Sequence, residues 1–129
     1  MRALKLALLL GTFGAVSGIA AAHHSFTAEF DAEKPIKLSG VVTKVEWRNP
    51  HAYFFVDVEN EQGKTNNWAL ELGSPNALAR RGWGRDSLKI GDVVNVEGHR
   101  ARDGSLKGNA TSVVLASGKR LFSTGASPD

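Results

Sequence analysis

His23 and His24 stand directly behind Ala20-Ala21-Ala22, so cleavage of a leader after Ala22 would leave a histidine as the first residue of the mature chain. A terminal histidine carries a free amine and an imidazole on one residue, and the next residue adds a second imidazole. This is a nitrogen-rich chelate of the kind that takes Cu(II) best and Zn(II) next. A third imidazole, His51, closes the turn Trp47-Arg48-Asn49-Pro50-His51, where an Asn-Pro corner holds it in place. An N-terminal arm folded back over that end of the domain would bring His23, His24 and His51 together, three or four nitrogen donors with the amine included. The amine ordinarily titrates at about 7.7–8, so binding displaces a proton and weakens below neutrality. Against this stand two plainer readings: a solvated histidine pair, and a His51 that caps its own turn through a backbone carbonyl.

Other chemistry is thinner. Asn95, Glu97 and His99 share one strand parity, which would let Glu97 and His99 pass a proton between them, but such a stripe is more often the wet side of a half-buried strand. There is no cysteine and no G-x-S-x-G elbow, and no carboxylate pair is placed by spacing alone for acid–base work, so an enzyme is not expected. Trp47, Tyr53 and Phe55 form a possible ligand face, because Tyr53 and Phe55 have the parity opposite to the apolar set Ala52, Phe54, Val56 and Val58. Exposed aromatics on a small barrel stack on rings of a ligand. Phe26, Phe30 or Phe122 is the expected cover for that patch in the absence of a ligand.

The address comes from the first 22 residues. Arg2 and Lys5 precede an uncharged apolar stretch from Leu6 to Ile19, then the alanines supply the small residues of an A-x-A cleavage site. The stretch is too short to span a bilayer as a helix, which takes roughly 20 residues. A signal peptide at 1–22, a periplasmic or secreted mature chain and no transmembrane anchor after cleavage are the expectation. Of 16 Lys and Arg, two leave with the leader, so 14 face 13 Asp and Glu. That near-neutral balance excludes the strong positive field of nucleic-acid binding. The partner is expected to be a metal ion or an unknown component of the cell envelope, and any cofactor is expected to be copper or zinc.

The elements that must position these residues follow from periodicity. Residues 23–35 form an arm pinned by Phe26 and Phe30. Residues 36–122 form the domain, and 123–129 a flexible tail rich in small and polar residues. From Ile36 the chain reads as strand. Its apolar parity switches between Leu38 and Val45, which places a bulge or sharp coil at Gly40. His51 to Val58 is a second strand, and Trp68, Leu70 and Leu72 mark a third, the three forming a meander. Gly73-Ser74-Pro75 opens a short helix with Ser74 as N-cap, ended by Gly82, with Leu78 facing the core. Val93 to Ala101 and Leu106 to Leu115 are the fourth and fifth strands, joined by a hairpin turn, and Arg120 to Phe122 is a last extended piece. Three strands, a helix and two strands is the order of a five-stranded OB-type barrel, β-β-β-α-β-β, and a small open sandwich has the same order.

Three stretches carry a family resemblance: Ala22-His-His-Ser-Phe26, the block Gly40-Val-Val-Thr-Lys-Val-Glu-Trp-Arg-Asn-Pro-His51, and Ile90-Gly-Asp-Val-Val-Asn-Val-Glu-Gly-His99. Together with the leader they resemble a functionally uncharacterised family of small exported bacterial proteins with OB-like domains. The resemblance implies the fold and the address and supplies no substrate or catalytic residue. A likeness to the haem chaperone of cytochrome c maturation fails, since no tyrosine follows His99 in Arg100-Ala101-Arg102-Asp103.

Overall fold

In the computed structural model, which describes residues 26–123, a helical turn at 26–29 leads straight into the longest strand of the molecule. That strand, β1, runs Phe30–Glu46, followed by β2 (Tyr53–Glu59), β3 (Thr65–Glu71), a helix α1 (Pro75–Arg80), β4 (Val93–Ala101), β5 (Lys107–Leu115) and β6 (Arg120–Phe122). The arm is therefore shorter than its sequence suggests, because residues 30–35 are already strand. Phe30 is opposite Ala101 and Pro35 opposite His99, with an irregularity between them. Residues 1–22, His23, His24 and the tail beyond Ser123 lie outside the described residues.

Among the described residues the architecture is all-β with the short helix α1 and the helical turn at 26–29. The sheet order is β3-β2-β1-β4-β5-β6, antiparallel throughout except that β3 also pairs in parallel with β5. The pairings thus run from β1 through β2, β3, β5 and β4 back to β1. One strand can serve both β4 and β2 because it is long and bends. Its first part, to Val41, pairs with β4, and its last part, from Val41, pairs with β2.

The parity switch in β1 has a different cause from the one its sequence suggests. Val42 is opposite Val56 and Lys44 opposite Phe55, so the extra residue is Thr43, and the bulge lies there. That single residue is why Val42 and Val45 can both face the interior. Gly40 has another duty. A Cβ at that position would lie 2.1 Å from the Asp57 carbonyl oxygen, so β1 and β2 cross closely only where a side chain is missing.

The interior is filled by the residues that alternation selects. Phe54, Val56, Leu70, Val94 and Val96 are each no more than 1% exposed, Val42 likewise, and Trp68 joins them. Leu38 sits at the margin, partly buried against this cluster. Helix α1 closes one end. Ser74 Oγ accepts the Ala77 N–H at 3.2 Å, Pro75 occupies the first turn, and Leu78 is fully buried. Gly82, at φ 89°, turns the chain so that Trp83 also enters the core, where its Nε1 donates to the Phe122 carbonyl at 2.9 Å and ties β6 down. Nothing in the sequence around Trp83 marks it as core, since it sits in a Gly-Trp-Gly turn.

Candidate site around Glu71

Cross-strand partners project to the same face of a sheet, so register identifies which side chains can meet. Tyr53 is opposite Glu71, Glu71 is beside Asn109, and Asn109 is opposite His99. These four form one row across β2, β3, β5 and β4 on the outer face. Phe54, Leu70 and Ala110, their neighbours in sequence, point inward.

Glu71 is the centre of this row and is only 7% exposed, although it stands at an outward position. Its two oxygens are separately engaged. Tyr53 Oη donates to Oε2 at 2.8 Å, and His51 Nδ1 stands 3.0 Å from Oε1. A buried carboxylate is costly unless compensated, and the Tyr53 hydroxyl and the His51 ring are the polar groups set against it. His51 is brought there by the turn after β1, whose Asn49–Pro50 peptide is cis. With Nδ1 beside Glu71, Nε2 is the ring nitrogen left for a ligand, and the side chain as a whole is half exposed at 49%.

Tyr53 is consequently not the free aromatic that its parity suggests. Arg48 and Lys107 lie over its ring at 5.4 and 5.7 Å, and its hydroxyl is held by Glu71. Burial raises its pKa well above the usual range of a phenol, and the hydrogen bond to Glu71 and the charge of that carboxylate push it further in the same direction. Proton binding is thus stronger in the folded state, so this contribution to stability is whole below the ordinary value of about 10 and is lost as pH rises beyond it. Tyr53 is the single tyrosine of the chain, which makes the check direct. The tyrosinate absorption band of the native protein is expected to appear only well above pH ~10. In denaturant the same band should appear at the ordinary value. A native titration that overlays the denatured one would contradict the Tyr53–Glu71 bond.

The other residues of the possible ligand face do not gather around Tyr53. Trp47 is packed against the core cluster, and Phe55 lies beneath the Lys44 ammonium, 5.3 Å from the ring centroid. Lys44 and Arg48 both bind Glu46, at 2.8 and 2.9 Å. The hydrogen bond from Lys44, and after it the charge of Arg48, hold the Glu46 carboxyl below its usual range. The arm covers the far end of the row: the Phe26 ring meets His99 edge-on, and Lys107 lies over both Phe30 and Tyr53.

The register does not join Glu97 and His99 into a relay. Glu97 faces Arg120 at 3.8 Å, whereas His99 Nδ1 is buried without a hydrogen-bond partner. His23 and His24, read as metal ligands, lie outside the described residues. Of the three histidines proposed from sequence, the described structure places only His51, in contact with a carboxylate. Among the described residues no group of three or more His, Asp and Glu stands close enough to hold a metal.

The model of a family of unknown function, DUF6152, matches residues 12–110, most of the chain. The chain belongs to DUF6152. No curated protein matches it. The match takes in β1 to β4, α1 and the start of β5, so the Glu71 site of this DUF6152 domain, from His51 to Asn109, lies wholly within the family segment. Glu71 itself was not legible as a site residue. In Trp68-Ala-Leu-Glu71 it takes the outward place of an alternating strand, and only its register with Tyr53 distinguishes it from a solvated acid.

Proposed function

We propose that this DUF6152 chain is an exported, OB-type binding domain that takes a divalent metal, copper in preference to zinc, through His51 and the histidines of its mature N-terminus. The observation that carries the reading is the His51–Glu71 contact. Histidines that ligate metals characteristically donate their second ring N–H to a carboxylate, which fixes the tautomer, aims the ring and raises its basicity. In this reading Glu71, 3.0 Å from Nδ1, takes that N–H, and Nε2 of the half-exposed side chain is left for coordination. The OB-type reading is supported by the helix between β3 and β4 and by strand pairings that return from β5 through β3 to β1. Export is supported by the charged start, apolar stretch and alanine triplet of the leader.

Reach is compatible with this. Phe26 lies against His99, and His99 is two strand spacings from Glu71 along the row, about 10 Å. Residues 23–25 span up to ~10 Å when extended. His51 supplies one donor from the domain, and the amine with His23 and His24 supplies the rest. The competing reading, an interaction module that uses Trp47, Tyr53 and Phe55, has less support, because Trp47 packs inward and the other two rings are covered by cations.

Thermal unfolding with and without Cu(II) tests the proposal. At a hundredfold excess over Kd the metal should stabilise the mature protein by about 2.7 kcal/mol. His51→Ala should remove most of that shift, since a bare terminal chelate has no linkage to folding. An unchanged melting temperature with copper, or an equal shift in His51→Ala, would defeat the reading.

A further inference from the structure

The segment from Pro75 to Asp92, helix α1 and the turns after it, is fastened over one end of the domain by Leu78, Trp83 and Leu88, all buried and spaced five apart. Local hydrogen bonds hold it flat between these anchors. Trp83 N–H donates to the Leu78 carbonyl at 3.0 Å, Gly84 N–H to Ser87 Oγ at 2.8 Å, and Lys89 N–H to Asp92 Oδ2 at 2.9 Å. The outer side of this cap carries Arg80, Arg81, Arg85 and Lys89, all exposed, with Asp86 and Asp92 as the acids of the segment. Elsewhere Lys34, Lys44, Arg48, Arg102, Lys107 and Arg120 each stand beside a carboxylate. Among the described residues none of the four cap cations does. Arg80 lies in the last turn of α1, where a cation offsets the exposed carbonyls, but that accounts for one of the four. Next to them Ile90 is 73% exposed, in the turn whose Gly91 N–H and Asp92 carbonyl bond the backbone of Val42. Val93, at 56%, and its cross-strand partner Val41, at 41%, carry this apolar surface onto the wall. Three of the four exposed large apolar side chains among the described residues are thus gathered at the basic end, which sets them apart from singly scattered ones.

We propose that this capped end of the domain binds the surface of an anionic lipid bilayer. Arg80, Arg81, Arg85 and Lys89 meet the phosphate headgroups, and Ile90, followed by Val93, enters the boundary between headgroups and acyl chains. The two parts are complementary. On a domain of near-neutral charge the four cations supply a local attraction, about fivefold for each one near an anionic surface, which salt screens. One isoleucine and two partly covered valines offer far less apolar area than a stable protein interface, which takes about 800 Å² from each partner. A bilayer asks for less, because its surface is dense in phosphates and yields to a protruding side chain. An acidic protein would supply the carboxylates but needs a shaped recess for its own side chains, whereas Ile90 stands out from the surface. Docking requires no rearrangement, since the anchors and turn bonds already fix the cap. This surface is separate from the His51 metal position and does not depend on it.

The test is co-sedimentation of the mature, metal-free protein with vesicles of phosphatidylcholine alone and of phosphatidylcholine with an equal part of phosphatidylglycerol. The protein should follow the mixed vesicles at low salt, leave them at about 0.5 M salt and ignore the neutral ones. Replacing three cations together, Arg80→Gln, Arg81→Gln and Arg85→Gln, should lower partitioning by about a hundredfold. Ile90→Ser should lower it by about tenfold. Both variants should melt close to the parent, because all four side chains are exposed. Polyglutamate serves as a soluble anionic probe with no apolar layer. Absence of binding to the mixed vesicles, equal binding to the neutral ones, or unchanged partitioning in the triple variant would overturn the assignment. Binding to polyglutamate as tight as to the vesicles, together with indifference to Ile90→Ser, would overturn it also and give the cations to an acidic protein partner.

Discussion

Phe54→Ala is expected to destabilise the domain by about 3–5 kcal/mol, a large part of the 5–15 kcal/mol that a single domain has in total. Phe54 is fully buried on β2, opposite Val45 on one side and Leu70 on the other. It thus touches the two strands that must pair with β2, and deleting the ring removes transfer energy and leaves a cavity among side chains fixed by backbone ladders. The neighbouring Tyr53→Phe, one residue away and on the opposite face, keeps its ring area and loses one hydrogen bond to a carboxylate. That change is expected to cost about 1.5–3 kcal/mol. Urea denaturation of the two variants against the parent separates the cases. Equal losses would show that the inward and outward faces of β2 are misassigned.

The second large effect falls on the proposed metal site. Glu71→Gln should weaken Cu(II) binding by about 10–100-fold, the usual consequence of removing the carboxylate that orients a ligating imidazole. A glutamine amide has one acceptor oxygen where Glu71 has two, of which one accepts from Tyr53 and the other stands 3.0 Å from His51 Nδ1. Either His51 or Tyr53 then faces an N–H group instead of an acceptor. Tyr53→Phe is the matched control, since it leaves the His51 bond in place and should change copper affinity far less. Calorimetric titration of both variants, at a temperature where both are folded, reads the difference. Similar affinities in Glu71→Gln and the parent would mean that Glu71 serves only the fold.

Much of the architecture was legible because alternation in β2 and β4 is clean, and because Ser74-Pro75 starts a helix in a chain otherwise written as strands. What alternation does not encode is where an extra residue is inserted. The parity change in β1 was visible, but Gly40 is the residue that draws the eye, whereas the bulge is at Thr43 and Gly40 serves the close crossing over Asp57. Arm and strand were likewise hard to separate. Residues 30–35 are polar and carry a proline, yet they pair with β4 at its Ala101 and His99 end. For the site, His51 was visible as an imidazole at a rigid corner. Glu71 was not, because its place in the row arises from β3 meeting β5 in parallel, a pairing between segments far apart in the chain. Tyr53 was placed on the correct face but given the wrong surroundings, since parity reports direction and not what covers the surface.

The most direct test of the metal reading is the nitrogen NMR signals of the His51 ring as Zn(II), a diamagnetic substitute for copper, is added to the mature protein. The account predicts that Nε2 takes the shift of a coordinated nitrogen, while Nδ1 remains protonated and bonded to Glu71. Coordination confined to the rings of His23 and His24, with both nitrogens of His51 unmoved, would contradict it.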